Sequence, residues 1–138
     1  MGFNRTLVSG SGKLAQPMRA GAGLIANFAV KAFAAETDAN LTVGDVAGGL
    51  IHQGTTLTSD VVYTLPTAAS IIAAFSDMDI GDAYSFVVNN SQVGAFDVEI
   101  AVNTGITKVG TNNTLSVPPQ SSRVFTLVKD SGTALSLY

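Results

Sequence analysis

The chain has no cysteine. Disulfide frameworks, thiolate zinc sites and cysteine nucleophiles are therefore excluded. One histidine, His52, is too few for a multi-histidine metal centre. Tryptophan is absent. Charged residues make up only 12% of the 138, about half the usual share near 25%. Low charge combined with 46% apolar residues argues against disorder for most of the chain. No apolar run reaches the roughly 18 residues that a membrane-spanning helix needs. What remains is one domain, long enough to bury a core without covalent staples.

Small polar residues fill the gap that the charges leave: Ser, Thr and Asn total 34, beside 14 glycines. The charges that are present segregate. Residues 1–35 hold Arg5, Lys13, Arg19 and Lys31 and no acid, whereas residues 36–138 hold three bases and all ten acids. A basic leading segment suits an acidic partner surface or nucleic acid, or merely solvates a tail. In the body, bases do not interleave with aromatic residues, so no stacking platform for nucleic acid is expected.

Residues 1–23 are rich in Gly and Ser and lack a sustained apolar period, which reads as an extended arm. Residues 24–35 (LIANFAVKAFAA) are apolar without keeping to one helical face. They suit a short helix or a strand that docks on something. A basic stretch followed by Ala32-Phe33-Ala34 mimics a secretory signal, but Asn27 and Lys31 interrupt the apolar block. The arm is therefore expected over 1–35 and the folded domain over 36–138.

The body reads as short apolar segments divided by turn signals. Strands are expected at Ala39–Val43, Leu50–His52, Val61–Thr64, Tyr84–Val88, Phe96–Val102, Ile106–Val109, Thr114–Val117, Ser122–Val128 and Thr133–Tyr138. Asn89-Asn90-Ser91 supplies a turn between two of them. A short helix is expected over Ala68–Phe75. Thr64 or Thr67 can cap it, Pro66 is tolerated near its first turn, and Ile71, Ile72 and Phe75 share one face. The expected fold is mainly all-β, an antiparallel β-sandwich or jelly-roll-like barrel with one short helix and an extended N-terminal arm.

Candidate chemistry is sparse. Asp77, Asp79 and Asp82 could hold a hard cation such as Ca²⁺, but they lack the spacing of a twelve-residue calcium loop and suit a tight connection equally well. Asp97 and Glu99 share one face of a strand, as an acid/base pair would, or as a solvated face would. His52 has Ser59, Asp45 and Asp60 near it in sequence but no sharp nucleophile turn. Neither an enzyme nor a cofactor is indicated.

Several segments run in a characteristic order: Gly48-Gly49-Leu50-Ile51, then Tyr63-Thr64-Leu65-Pro66-Thr67-Ala68-Ala69, Gly81-Asp82 and Asn89-Asn90-Ser91. Asn103-Thr104-Gly105-Ile106-Thr107-Lys108-Val109-Gly110, Ser122-Arg123-Val124-Phe125 and Leu135-Ser136-Leu137-Tyr138 follow. Over residues 39–138 this series resembles the capsid decoration (cement) or head-knob proteins of tailed bacteriophages and large DNA viruses. The resemblance implies a compact β domain on the capsid exterior that binds the major capsid protein and itself as a homotrimer. On that reading Arg5, Lys13, Arg19, Leu24, Ile25, Phe28, Lys31 and Phe33 anchor the arm to the shell. The alternative is a phage surface module binding host glycans through the amides of Asn89–Ser91 and Gly110–Asn113.

Overall fold

The computed structural model describes residues 28–110 and 115–138. Its strands are β1 (Ala29–Phe33), β2 (Ala39–Asn40), β3 (Gly49–Gln53), β4 (Val61–Thr64), β5 (Ala83–Asn90), β6 (Val98–Ala101), β7 (Ile106–Lys108), β8 (Ser116–Val117), β9 (Ser121–Lys129) and β10 (Leu135–Leu137). Two short helices interrupt them, α1 (Val43–Ala47) and α2 (Ala68–Ala74). The fold is mainly β, as expected.

Local chemistry sets the helix starts. Thr42 caps α1 by accepting from Asp45 N, while the Asp45 carboxylate accepts from Thr42 N at 2.8 Å. This reciprocal pair satisfies two donors that the first turn would orphan. It also ends β2 early, which is why the strand expected to reach Val43 stops at Asn40. Thr67 caps α2 through Ser70 N, and Ala68 and Ile71 are its buried residues.

The strands form two sheets, in the orders β1-β3-β5-β9-β10-β7 and β2-β4-β6-β8. Successive strands β1 to β8 alternate between the two sheets. Neighbours within a sheet are thus mostly not neighbours in sequence. The result departs from the antiparallel expectation: among the described residues five pairings are parallel (β1·β3, β3·β5, β2·β4, β4·β6, β10·β7) and three antiparallel (β5·β9, β9·β10, β6·β8). A chain that steps to the other sheet after each strand returns in its original direction. From β1 to β6 that alternation gives parallel pairing, whereas β6 and β8 pair antiparallel.

One core fills the space between the sheets. Ile51, Phe86, Val88, Phe125, Leu127 and Leu135 come from the larger sheet, and Val61, Tyr63, Val98, Ile100 and Val117 from the smaller. Phe86 and Phe125 stack at 5.6 Å between centroids. Two further departures from expectation concern edges. Asn89 and Asn90 belong to β5 rather than to a turn, because buried Asn90 donates to the carbonyls of Val117 and Phe96. Ala29–Phe33, expected in the arm, is the edge strand β1, held in parallel register on β3. Gly49 makes room there: its φ is +84°, and a Cβ would lie 2.8 Å from the Phe28 ring.

Candidate functional site: the outer face of the larger sheet

Strand alternation assigns every side chain of the six-stranded sheet to one of two faces. Buried Ile51, Phe86, Val88, Phe125 and Leu127 mark the inward positions. The register then places Val30, Leu50, Val87 and Val124 side by side on the outward face, one from each of β1, β3, β5 and β9. The two ends of this apolar row are open to solvent, Val30 at 56% and Val124 at 59% exposure.

Polar rows flank it, and their members bond to one another. His52, Asn89 and Ser122 are register partners on β3, β5 and β9. The Asn89 amide nitrogen donates to Ser122 Oγ at 2.7 Å and to the Ser121 carbonyl at 3.4 Å. Its oxygen therefore faces His52, whose Nδ1 donates to it at 2.7 Å. On the other side of the apolar row, the hydroxyls of Ser85 and Thr126 bond at 2.8 Å.

The charges of these strands lie elsewhere. Lys31 pairs in register with Ile51, Arg123 with Val88, Lys129 with Leu135 and Lys108 with Leu137. All four bases thus occupy inward register positions near strand ends or edges. Lys31 Nζ lies 3.8 Å from Asp45 Oδ1 and 5.4 Å from the Phe33 ring centre. Lys129 Nζ donates to the Met78 carbonyl at 2.6 Å. The Arg123 guanidinium lies over the Phe125 ring. Among the described residues, no charged side chain takes an outward position on the six strands.

The carboxylates serve mainly to hold loops. Glu36 accepts from Thr58 N, Thr58 Oγ1 and Ser59 Oγ. These bonds, the Thr58 hydroxyl foremost, hold its carboxyl below the usual carboxylate range. Asp38 accepts from Val62 N and Asp60 from Asp97 N. Asp97 accepts from the Ser116 hydroxyl, and Asp130 accepts from Ser136. Asp97 is thus tied to β8 rather than free to act with Glu99.

The other sequence candidates do not converge. Among the described residues, no group of three His, Cys, Asp or Glu side chains could hold a metal ion. Asp77, Asp79 and Asp82 line or adjoin a surface cavity of about 360 Å³ beside Phe75 and Met78, but Asp82 accepts from Asp79 N and so closes the connection into β5. The hydrogen bond is the one that the alternative reading of these residues, a tight connection, calls for. His52 bonds Asn89, while Ser59 bonds Glu36, so the two do not form a nucleophile pair. The amides of Asn89 and Asn90, named for glycan contact, bond within the fold; Asn112 and Asn113 lie outside the described residues.

Of the expected anchor residues, Arg5, Lys13, Arg19, Leu24 and Ile25 lie outside the described residues. Lys31 is tied to Asp45, and Phe33 stacks on Tyr63 at 4.2 Å. Phe28 is 53% exposed at the start of β1. Sequence reading missed the outward row, although the alternation of Ser122, Val124 and Thr126 with Phe125 and Leu127 carries part of its signal. No family model matches the chain, and no curated protein or solved structure was found similar to it.

Proposed function

We propose that this chain is a structural protein of a virion, a two-sheet β-sandwich-like module that decorates the capsid exterior. It binds the major capsid protein and itself as a trimer, and it works by packing rather than by chemistry. The observation that carries the reading is the outer face of the larger sheet, where an apolar row lies among uncharged side chains. Such a face can lie against another protein without burying an unpaired charge. The use of carboxylates to hold loops supports the same reading, because those groups are committed to structure. The resemblance over residues 39–138 supplies the setting, and multivalent attachment explains how one small domain could hold to a shell.

The test is co-sedimentation of the full chain with undecorated shells assembled from the major capsid protein. Stoichiometric, saturable binding is expected. Failure to bind such shells, together with saturable binding on a glycan array, would replace this reading with the host-recognition one.

A further inference from the structure

We propose that the cavity between α2 and the start of β5 is the docking site of the chain's own leading segment, residues 1–27, with Leu24 and Ile25 on its apolar wall and Arg19 toward its acidic rim. The inference goes beyond the capsid reading and does not depend on it. Three observations carry it.

The first is the cavity. It encloses about 360 Å³, with Ala74, Phe75, Met78 and Ala83 along one part of its lining and Asp77 and Asp82 along another. Phe75 and Met78 are half-buried, so their apolar surface is not closed into the core. A concave site of this mixed lining suits a segment that brings apolar side chains and a cation together. The bond from Asp79 N to the Asp82 carboxylate, at 2.9 Å, fixes the shape of the rim.

The second is where the leading segment joins the body. Phe28 stands just before β1 and is 53% exposed, and Ala29 N donates to the Gly48 carbonyl at 2.8 Å. A Cβ on Gly49 would lie 2.8 Å from the Phe28 ring and 3.8 Å from the Tyr84 hydroxyl. The Tyr84 ring packs in turn on Phe75, 4.6 Å between centroids. Phe28, Tyr84 and Phe75 thus mark an aromatic path from the start of β1 to the cavity wall. An extended chain advances about 3.3 Å per residue, so Ile25 and Leu24 have a reach of about 10 and 13 Å from Phe28, enough to pass the Tyr84 ring and arrive at Phe75.

The third is charge. Residues 1–27 carry Arg5, Lys13 and Arg19 and no acid, whereas the described residues hold four bases against ten acids. Three of those acids, Asp77, Asp79 and Asp82, fall within six residues at the cavity. Lys129 is the base beside them, and its Nζ donates to the Met78 carbonyl. Carboxylates therefore outnumber cations at the rim, and Arg19 brings the opposite sign. The tether selects the occupant: a segment joined at Phe28 meets the cavity at an effective concentration in the millimolar range, which an untethered basic partner must outcompete.

The experiment is paramagnetic broadening of amide signals in the full, isotope-labelled chain. Because the chain has no cysteine, one introduced cysteine carries one nitroxide. Ser76→Cys places it at the cavity, and Ala32→Cys places it along β1, leading away from the cavity; both positions are exposed. The Lys13 and Arg19 amides should lose most of their intensity to the label at 76 and much less to the label at 32. Asp77→Lys, a change at an exposed side chain, should abolish that difference. Equal loss from the two labels overturns the proposal, as does a difference that Asp77→Lys leaves intact. The same losses in a mixture of isotope-labelled chain with separately nitroxide-labelled chain would put the segment on another copy and also overturn it. Should a labelled variant misfold, hydrogen exchange of the unlabelled chain decides: Asp77→Lys should speed exchange over residues 19–27, and unchanged exchange there overturns the proposal.

Discussion

Tyr63 shows how single residues hold the two sheets together. Its ring is fully buried and stacks on Phe33, and its hydroxyl accepts from Gln53 Nε2 at 2.8 Å. Gln53, also fully buried, donates further to the Ala35 carbonyl and accepts from Thr55 N. Burial pushes the Tyr63 phenol up to about 12, against the opposing pull of the Gln53 bond. The unfolded chain loses this proton first as pH rises through 10, while the folded chain keeps it until about 12. In that window the native state binds more protons, so its stability falls with rising pH. Tyr63→Phe should flatten that alkaline loss in urea titrations and leave the part due to Tyr84, whose phenol burial also raises. At neutral pH the same variant should cost about 1 kcal/mol for the lost bond. Glu36 works in the opposite direction. Its lowered carboxyl contributes stability above the unfolded carboxylate range that is lost as pH falls through its folded value. Glu36→Gln should remove that acid-limb slope from the same titrations.

At the scale of elements, α2 was legible outright and β1 only as one of two alternatives, helix or docking strand. Pro66 and Thr67 announce the start of a helix, and Ala68, Ile71 and Ile72 supply its packed side, so the sequence points to α2 almost to the residue. Thr67→Ala should cost about 1 kcal/mol in equilibrium unfolding, the usual loss of a capping hydroxyl. β1 hides because its inward positions read Ala29, Lys31 and Phe33, and a lysine in the middle breaks the alternation that identifies a half-buried strand. Its anchor is Phe33, and Phe33→Ala should destabilise the chain by about 2 kcal/mol, somewhat less than full burial would give. Amide exchange should show the loss concentrated in β1 and the adjoining edge of β3. Asn90 misled for a related reason. Consecutive asparagines usually mark turns, but here the second is buried as a donor to two carbonyls at the end of β5. The outer row of the larger sheet could be read only in part, because strand register, rather than strand identity, aligns Val30, Leu50, Val87 and Val124.

For the whole molecule, strand direction was the property least accessible from sequence. Period-two alternation states that a segment is a strand and which residues share a face, but it is blind to the partner. Short connections favour hairpins, and the chain instead crosses to the opposite sheet. The distribution of charge, by contrast, was visible from the start and acquires a consequence in the fold. The described body is net negative and the outer face of its larger sheet is uncharged. Salt shortens the reach of charge–charge forces from about 30 Å at 0.01 M to about 8 Å at 0.15 M. Salt leaves any burial of Val30, Leu50, Val87 and Val124 intact. The shell binding proposed for this chain, made through that face, should therefore persist when sodium chloride is raised from low to moderate concentration, as co-sedimentation at the two concentrations measures. A contact built from opposite charges would loosen over the same range, so weakening would show that the basic residues, and not the apolar row, hold the chain to the shell.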